Sequence, residues 1–456
     1  MEHAESELKH GKNSWPNPEN LGHTTISHLS HDGRGIAHID GKITFIFGAL
    51  PGEEVLFSYT SRRAKFDEAK AVQILKASSV RTEPKCSFFG LCGGCSLQHL
   101  DQESQLVHKQ SVLLEQLKHF GNVVPDNILS PLTAEPYGYR RKARFSVRYV
   151  AKKDRVLIGF RELYNPRFLA EIDSCKVLHP HIGNLIAPLQ ECLITLDNKK
   201  HIAQIEAAVG ANATALIVRH LDILLDSNRQ RLVNFAQTHN IWMFLQPGGY
   251  NSINKLWPAD DNNYLTYPIT ENITLNFHPT DFSQINDSIN RQMIKQALTL
   301  LDINKNDIVC DLFCGIGNFT LPIATKAALV YGIEGDKHMV KRASNNALNN
   351  NISNAHFFLL DLNSIETLPS LIPSTFNKLL IDPPRSGARE VVENMNLDNV
   401  DTIVYISCNP ATLARDAGIL VKRGFALTHA GVMDMFTHTE HVEAMAAFER
   451  RKNLAC

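Results

Sequence analysis

Cys408 follows an apolar run, Ile403-Val404-Tyr405-Ile406-Ser407, and is followed by Asn409-Pro410. The run reads as a buried strand, and Pro410 suits the first turn of a helix after it. A thiol at the carboxyl edge of such a strand faces the crevice where open α/β sheets do their chemistry. It is placed to act as a nucleophile. By itself a cysteine there is more often packing, but four other stretches shift that balance.

The first is Asp311-Leu312-Phe313-Cys314-Gly315-Ile316-Gly317-Asn318-Phe319-Thr320, a strand, a Gly-x-Gly turn and a helix start. The glycines let the backbone approach a ligand closely, while the missing third glycine disfavours a pyrophosphate cofactor. Glu334 ends the next apolar stretch and can accept hydrogen bonds from both ribose hydroxyls. Asp361 ends a third and can bind an adenine amino group. The second stretch, Asp382-Pro383-Pro384-Arg385-Ser386-Gly387, makes a rigid exposed rim, because prolines fix the chain direction and remove donors. In the third, Phe282-Ser283-Gln284-Ile285-Asn286, Gln284 offers a donor and an acceptor together. The fourth runs from Asp434 to Glu443, which opens an apolar stretch through Phe448. A carboxylate held at that buried edge can serve as general base. Each stretch also has an ordinary reading: helix cap, turn former, rigid loop or salt-bridged loop.

Cysteines supply a separate signal. Cys86, Cys92 and Cys95 crowd a glycine-containing segment, and Cys175 is the next cysteine along. Three close thiolates can share a metal centre, with Cys175 the best fourth ligand. Structural zinc and an iron–sulfur cluster both fit the residues. The odd total of nine cysteines argues against a disulfide framework and for metal binding in a reducing cytoplasm.

The elements that must position these groups follow from patterning. At 456 residues, two or three domains are expected. Residues 1–20 are polar, with no signal-peptide core, and read as a disordered tail. No run of about 18 apolar residues exists, so no membrane-spanning helix is expected. Residues 21–79 show short β patterns punctuated by Asp32-Gly33, Asp40-Gly41 and Pro51-Gly52, consistent with a small barrel. Residues 80–279 are expected as an α+β central domain, with a helix over His99–Asn122 that can pack on the next domain. Within it, helices are expected over His179–Leu196 and Asp226–His239. From residue 280, helices and strands alternate as in a doubly wound α/β domain. The formal net charge of −1 gives no reason to expect nucleic acid. Between Tyr139 and Arg155, however, eight basic residues interleave with Tyr139, Phe145 and Tyr149. Phosphate neutralisation and base stacking need that mixture.

Taken in order, these motifs strongly resemble the RNA uracil-C5 methyltransferase family, and residues 24–77 resemble a TRAM domain, an OB-like RNA-binding barrel. The resemblance covers about residues 24–450. It implies a C-terminal Rossmann-like domain that uses S-adenosyl-L-methionine, with Gln284, Phe313, Asn318, Glu334, Asp361 and Asp382 at cofactor positions. Cys408 matches the nucleophile and Glu443 the base. Cys86, Cys92, Cys95 and Cys175 match the ligands of a 4Fe-4S cluster. Having both the cluster and the barrel resembles the branch that methylates one uridine of 23S ribosomal RNA, with no protein partner and a monomer expected. Thr437 departs from the family pattern, where Pro is frequent, and affects loop stiffness only. Three alternatives stay open: the same chemistry on tRNA or a second ribosomal site, a non-catalytic RNA-binding iron–sulfur protein, and an iron–sulfur redox enzyme.

Overall fold

Asp40 and Gly41 both take positive φ, 49° and 77°, as the two-residue turn of a tight hairpin requires. They join β3 (Gly35–Ile39) to β4 (Lys42–Phe47). With β1 (Gly22–Thr25), β2 (His28–Leu29), β5 (Glu54–Arg62) and β6 (Phe66–Lys76), these form one six-stranded sheet ordered β1-β5-β6-β4-β3-β2. Ile26, Ala37, Ile46, Val55, Phe57 and Ala69 fill its core. The buried carboxylate of Glu53 accepts from Leu50 N at 2.8 Å and from Arg81 at 2.5 and 2.7 Å. That fork fastens the end of the unit to its own turn.

This computed structural model describes residues 21–362 and 376–451; the expected tail over residues 1–20 lies outside them. The chain divides into two compact units, Met1–Glu83 and Pro84–Cys456. The second unit contains both the central and the α/β regions. Among the described residues no helix is long and apolar enough to cross a membrane.

In the second unit, β7 (Asn127–Ile128) is a short edge strand. The central sheet comprises β8 (Lys142–Val150), β9 (Arg155–Gly159), β10 (Ile202–Val209), β11 (Thr214–His220), β12 (Trp242–Gln246) and β13 (Asn254–Trp257). Its order is β13-β12-β11-β10-β8-β9. Alternation along β8 sends Ala143, Phe145 and Val147 into the core and leaves Arg144 and Arg148 exposed. A hairpin of β14 (Leu265–Pro268) and β15 (Thr274–Phe277) leads on to the α/β sheet.

That sheet contains β16 (Ile308–Leu312), β17 (Leu329–Glu334), β18 (Ala355–Leu359), β19 (Lys378–Ile381), β20 (Thr402–Ser407), β21 (Phe425–Met433) and β22 (Glu443–Arg450). The order is β18-β17-β16-β19-β20-β22-β21-β7. β16 to β20 are mutually parallel, and β22 runs antiparallel to both β20 and β21. The order reverses at β16, which opens a crevice at the carboxyl ends there.

Three sequence expectations need correction. The helix expected over His99–Asn122 is Gln102–Gln116, started by Asp101, whose side chain accepts from Ser104 N, and closed by a wider turn at Leu117–Gly121. Its Val112, Leu113 and Leu117 join the core of the α/β sheet, and a Cβ on Gly121 would lie 2.4 Å from Ala414 O. The helix expected over His179–Leu196 breaks into Pro180–Gly183 and Ile186–Ile194. Gly183 there accepts from Cys175 N at 3.0 Å, and a Cβ on it would come within 2.4 Å of Cys175 O. Finally, β21 and β22 were not expected as strands; their Ala, Gly and Met content has little β propensity, and burial between neighbours decides their conformation.

Candidate active site and thiol-lined cavity

Ser407 ends β20, and Asn409 caps the helix Pro410–Lys422 by accepting from Ala411 N at 3.1 Å. Cys408 is held between them, partly exposed, at the carboxyl edge of the sheet. Asn409 Nδ2 also donates to Arg385 O at 3.0 Å, which ties the proline rim to the thiol. Glu443 opens the antiparallel β22, where Ala444 pairs with Ser407. The start of β22 therefore meets the end of β20, and thiol and carboxylate share one edge.

Electrostatics at that edge are acidic. Burial raises the Glu443 carboxyl to about 8, with Asp382 adding to the shift and Arg385 opposing it. Burial likewise lifts Asp382 to about 7. The Cys408 thiol is held above its ordinary value by burial and by the charge of Glu443, against the pull of Arg385. Glu443 and Cys408 thus favour their neutral forms in the free protein near neutral pH, while Asp382 stands close to half-ionised.

Beside this edge, a cavity of about 40 Å³ is lined by Tyr267, Ser283, Gln284, Phe313, Asn318 and Asp382, among others. Four expected cofactor residues (Gln284, Phe313, Asn318 and Asp382) meet there. Phe313, at φ 62°, and Gly315 and Gly317, at 55° and 96°, turn the chain away from β16. Asn318 and Asn290 exchange two hydrogen bonds of 2.9 Å, which fixes both carboxamides. Phe313 also walls a second cavity, of about 110 Å³, with Leu362, Ser386, Arg389 and Arg415.

Glu334 stands at the end of β17 outside the first cavity. Its carboxylate accepts from Gly315 N at 3.0 Å and from Gly335 N and Asp336 N at 2.7 and 3.0 Å. It therefore braces the glycine turn. Asp361 lies just past β18, is exposed, and is not among the residues lining either cavity. Beneath the turn, burial pushes Asp311 up to about 8, although Thr320 Oγ1 donates to it at 2.5 Å.

Cys86, Cys92, Cys95 and Cys175 come together around a separate cavity of about 230 Å³. Phe88, Tyr139 and Phe160 line it as well, and so do Thr439 and His441 from the segment leading to Glu443. Burial raises Cys92 to about 11 and Cys95 to about 12, and it raises Cys175 too. Among the described residues, no three His, Cys, Asp or Glu side chains converge closely enough to hold a single metal ion. The four thiols surround a space rather than a point.

Sequence reasoning assigned no role to Tyr267, Asn290, Arg385 or the buried ion pair of Lys109 with Asp434. Asn290 follows Asn286 by one helical turn, a spacing that could have pointed to a polar helix face. Gln102, Gln105 and Lys109 form a similar polar row on the helix Gln102–Gln116, where the many other polar residues mask it. Tyr267 gave no signal, because its hairpin reaches the site only through tertiary packing.

Residues 101–451 match the profile of the tRNA (uracil-5-)-methyltransferase family. A curated 23S rRNA (uracil(1939)-C(5))-methyltransferase RlmD from Legionella pneumophila (strain Lens) is 48% identical over 427 residues, covering 93% of this chain and 96% of its own. A protein of the same name from Francisella tularensis subsp. novicida (strain U112) is 51% identical over 438 residues, covering 95% and 97%. Among solved structures, the tRNA (uracil-54, C5)-methyltransferase of Pyrococcus abyssi, in complex with S-adenosyl-L-homocysteine, superposes with a TM-score of 0.69. It covers 94% of this chain and 100% of its own at 21% identity, so it speaks for the fold. With a profile match across most of its length and relatives about half identical over nearly all of theirs, the chain belongs to the tRNA (uracil-5-)-methyltransferase family.

Proposed function

We propose that this protein methylates C5 of a uridine in 23S ribosomal RNA, using S-adenosyl-L-methionine, and that it works in the cytoplasm. The observation that carries the reading is the pairing of β20 with β22, which sets Cys408 and Glu443 at one edge beside Asp382. The names carried by the Legionella and Francisella relatives support ribosomal RNA as substrate.

Uracil C5 is a poor nucleophile. Addition of the Cys408 thiolate at C6 makes C5 enolate-like and able to attack an electrophilic carbon. S-adenosyl-L-methionine, when bound, supplies that electrophile as a sulfonium methyl. Glu443 then accepts the C5 proton and Cys408 is expelled, which leaves 5-methyluridine. The two cavities that share Phe313 suit a cofactor with an aromatic end and a charged end: Phe313 offers a ring face, while Gln284, Asn318 and Asp382 offer polar contacts. Glu334 and Asp361 complete the proposed cofactor set. Thiol addition needs a thiolate, and Arg385 is the cation that favours it. The target base must leave its stack to expose C6.

The donor set of four cysteines round one cavity fits a 4Fe-4S cluster better than one zinc ion, because thiols spaced round a void suit a polynuclear group. Such a cluster would be held by Cys86, Cys92, Cys95 and Cys175, and would order the segment that carries them. The β1–β6 unit is read as a TRAM barrel that binds RNA. The Arg62 guanidinium there lies over the Tyr59 ring at 4.0 Å, which suits phosphate and base together.

Methyl transfer from labelled S-adenosyl-L-methionine, with anaerobically purified protein, tests the proposal. Unmodified 23S ribosomal RNA and tRNA are offered side by side. 5-Methyluridine in ribosomal RNA alone is the expected result; product in tRNA would overturn the substrate, and product in neither would overturn the activity.

A further inference from the structure

The segment that carries the cysteines also grips the loop that delivers the proposed base. Met433 pairs with Glu443, so residues 434–442 form a loop between β21 and β22. Ser96, next to Cys95, holds this loop at three points. Ser96 N donates to His438 O at 2.9 Å, Ser96 Oγ donates to Glu440 Oε2 at 2.6 Å, and Glu440 N donates back to Ser96 Oγ at 3.0 Å. Leu97 N also reaches His438 O, at 3.0 Å.

Neighbouring residues add to the grip. Gln105 Oε1 accepts from His438 N at 2.9 Å, while Gln105 Nε2 donates to Leu97 O and Leu100 O. Tyr139 Oη donates to Thr437 O at 3.0 Å. His438 is held at φ 68°, a left-handed conformation that a side chain other than glycine adopts at a cost. That cost has to be met by surrounding contacts, which come from Ser96 and Leu97 beside Cys95, from Gln105 on the following helix, and from Tyr139 in the wall of the thiol cavity. Thr439 and His441 in turn line the thiol cavity. Only Val442 separates His441 from Glu443.

We infer that Ser96 and Glu440 are positioning residues for Glu443: their reciprocal hydrogen bonds make the cysteine segment part of the scaffold of the catalytic base. This rests on the reading of Cys408 as nucleophile and Glu443 as base. Proton removal from C5 comes after thiol addition. A misplaced base therefore slows resolution of the covalent protein–RNA adduct and leaves its formation intact. A residue that only stabilised the fold, or only bound RNA, would not trap adduct.

The experiment uses full-length, cluster-loaded protein with 23S ribosomal RNA, and compares Ser96→Ala, Ser96→Thr, Glu440→Ala and Glu443→Gln. For Ser96→Ala, turnover should fall about 10- to 100-fold, as expected for a reacting group displaced by a fraction of an ångström or more. KM for RNA should fall together with kcat, leaving kcat/KM near the wild-type value, denaturation-resistant adduct should accumulate, and amide exchange over residues 434–443 should speed up. Ser96→Thr, which keeps the hydroxyl, should restore turnover. Glu440→Ala, which removes the acceptor of the Ser96 hydroxyl, probes the same link from the loop side, remote from the cysteines, and should also trap adduct even if Ser96→Ala folds poorly. Unchanged turnover in both variants, or a raised KM without adduct, would overturn the inference. Absence of adduct in Glu443→Gln itself would instead overturn the underlying base assignment.

Discussion

Lys109 Nζ donates to Asp434 Oδ1 at 2.8 Å, with both side chains essentially shut off from solvent. Lys109 also donates to Phe436 O at 3.0 Å, so one ammonium joins the helix Gln102–Gln116 to the start of the loop before Glu443. A buried pair of this kind is held together by hydrogen bonds that offset its desolvation, and it fails badly when one partner goes. Lys109→Met is expected to cost about 3–5 kcal/mol. Urea unfolding should show this, and the double variant with Asp434→Leu should recover part of the loss. Equal destabilisation in single and double variants would show that the pair contributes nothing specific.

Removing the thiol should separate chemistry from binding. Cys408→Ala is expected to abolish methyl transfer while leaving RNA affinity within about twofold, a small change on the scale of a single lost contact. Filter binding alongside the transfer assay would check this. Retained transfer would exclude Cys408 as nucleophile.

The Asn290–Asn318 pair is expected to matter for cofactor affinity rather than for stability. Asn290→Ala frees the Asn318 carboxamide to rotate. KM for S-adenosyl-L-methionine should rise about tenfold, the worth of one or two ordinary hydrogen bonds. The Tm should change little. A fall in kcat at constant KM would contradict this.

The sign of the Glu443 shift fixes a stability profile. Burial raises its carboxyl from 4.5 to about 8 in the folded protein. Between those values the folded state keeps a proton that the unfolded state has lost, so stability falls as pH rises across that window. Asp311 and Asp382, also raised, act in the same direction. Glu443→Gln should therefore flatten the decline and melt higher than wild type at pH 9, but not at pH 4. Calorimetry at pH 4, 7 and 9 would check it; parallel profiles would mean that Glu443 is not buried in its neutral form.

The same shift governs rate. Single-turnover release of product should climb with pH up to about 8 in the wild type, because proton abstraction needs the carboxylate. A profile already flat at pH 6 would show that bound RNA and cofactor pull the Glu443 value down.

Much of this was legible in residue order. The parallel strands β16 to β20 could be read because they are largely apolar runs, and polar residues at their ends marked Glu334, Asp361, Asp382 and Cys408. The union of Cys175 with the three earlier cysteines came from the scarcity of other candidates, and the structure places all four round one cavity. Neither β21 nor β22 was legible, since alanine-rich segments become strands only when neighbours bury them. The roles of Ser96, Gln105, Lys109 and Glu440 were hidden for a different reason. Their partners lie more than 300 positions away along the chain, as the separations of 344 for Ser96–Glu440 and 325 for Lys109–Asp434 show. Local pattern carries no trace of such contacts.

The antiparallel course of β22 has one more consequence. Side chains alternate between faces along a strand, so a slip of one residue against β20 would turn Glu443 to the opposite face. The bolted loop ahead of it leaves no slack to absorb a gained or lost residue. Cys408 and Glu443, the proposed nucleophile and base, thus depend on one register, and neither strand can gain or lose a residue without separating them.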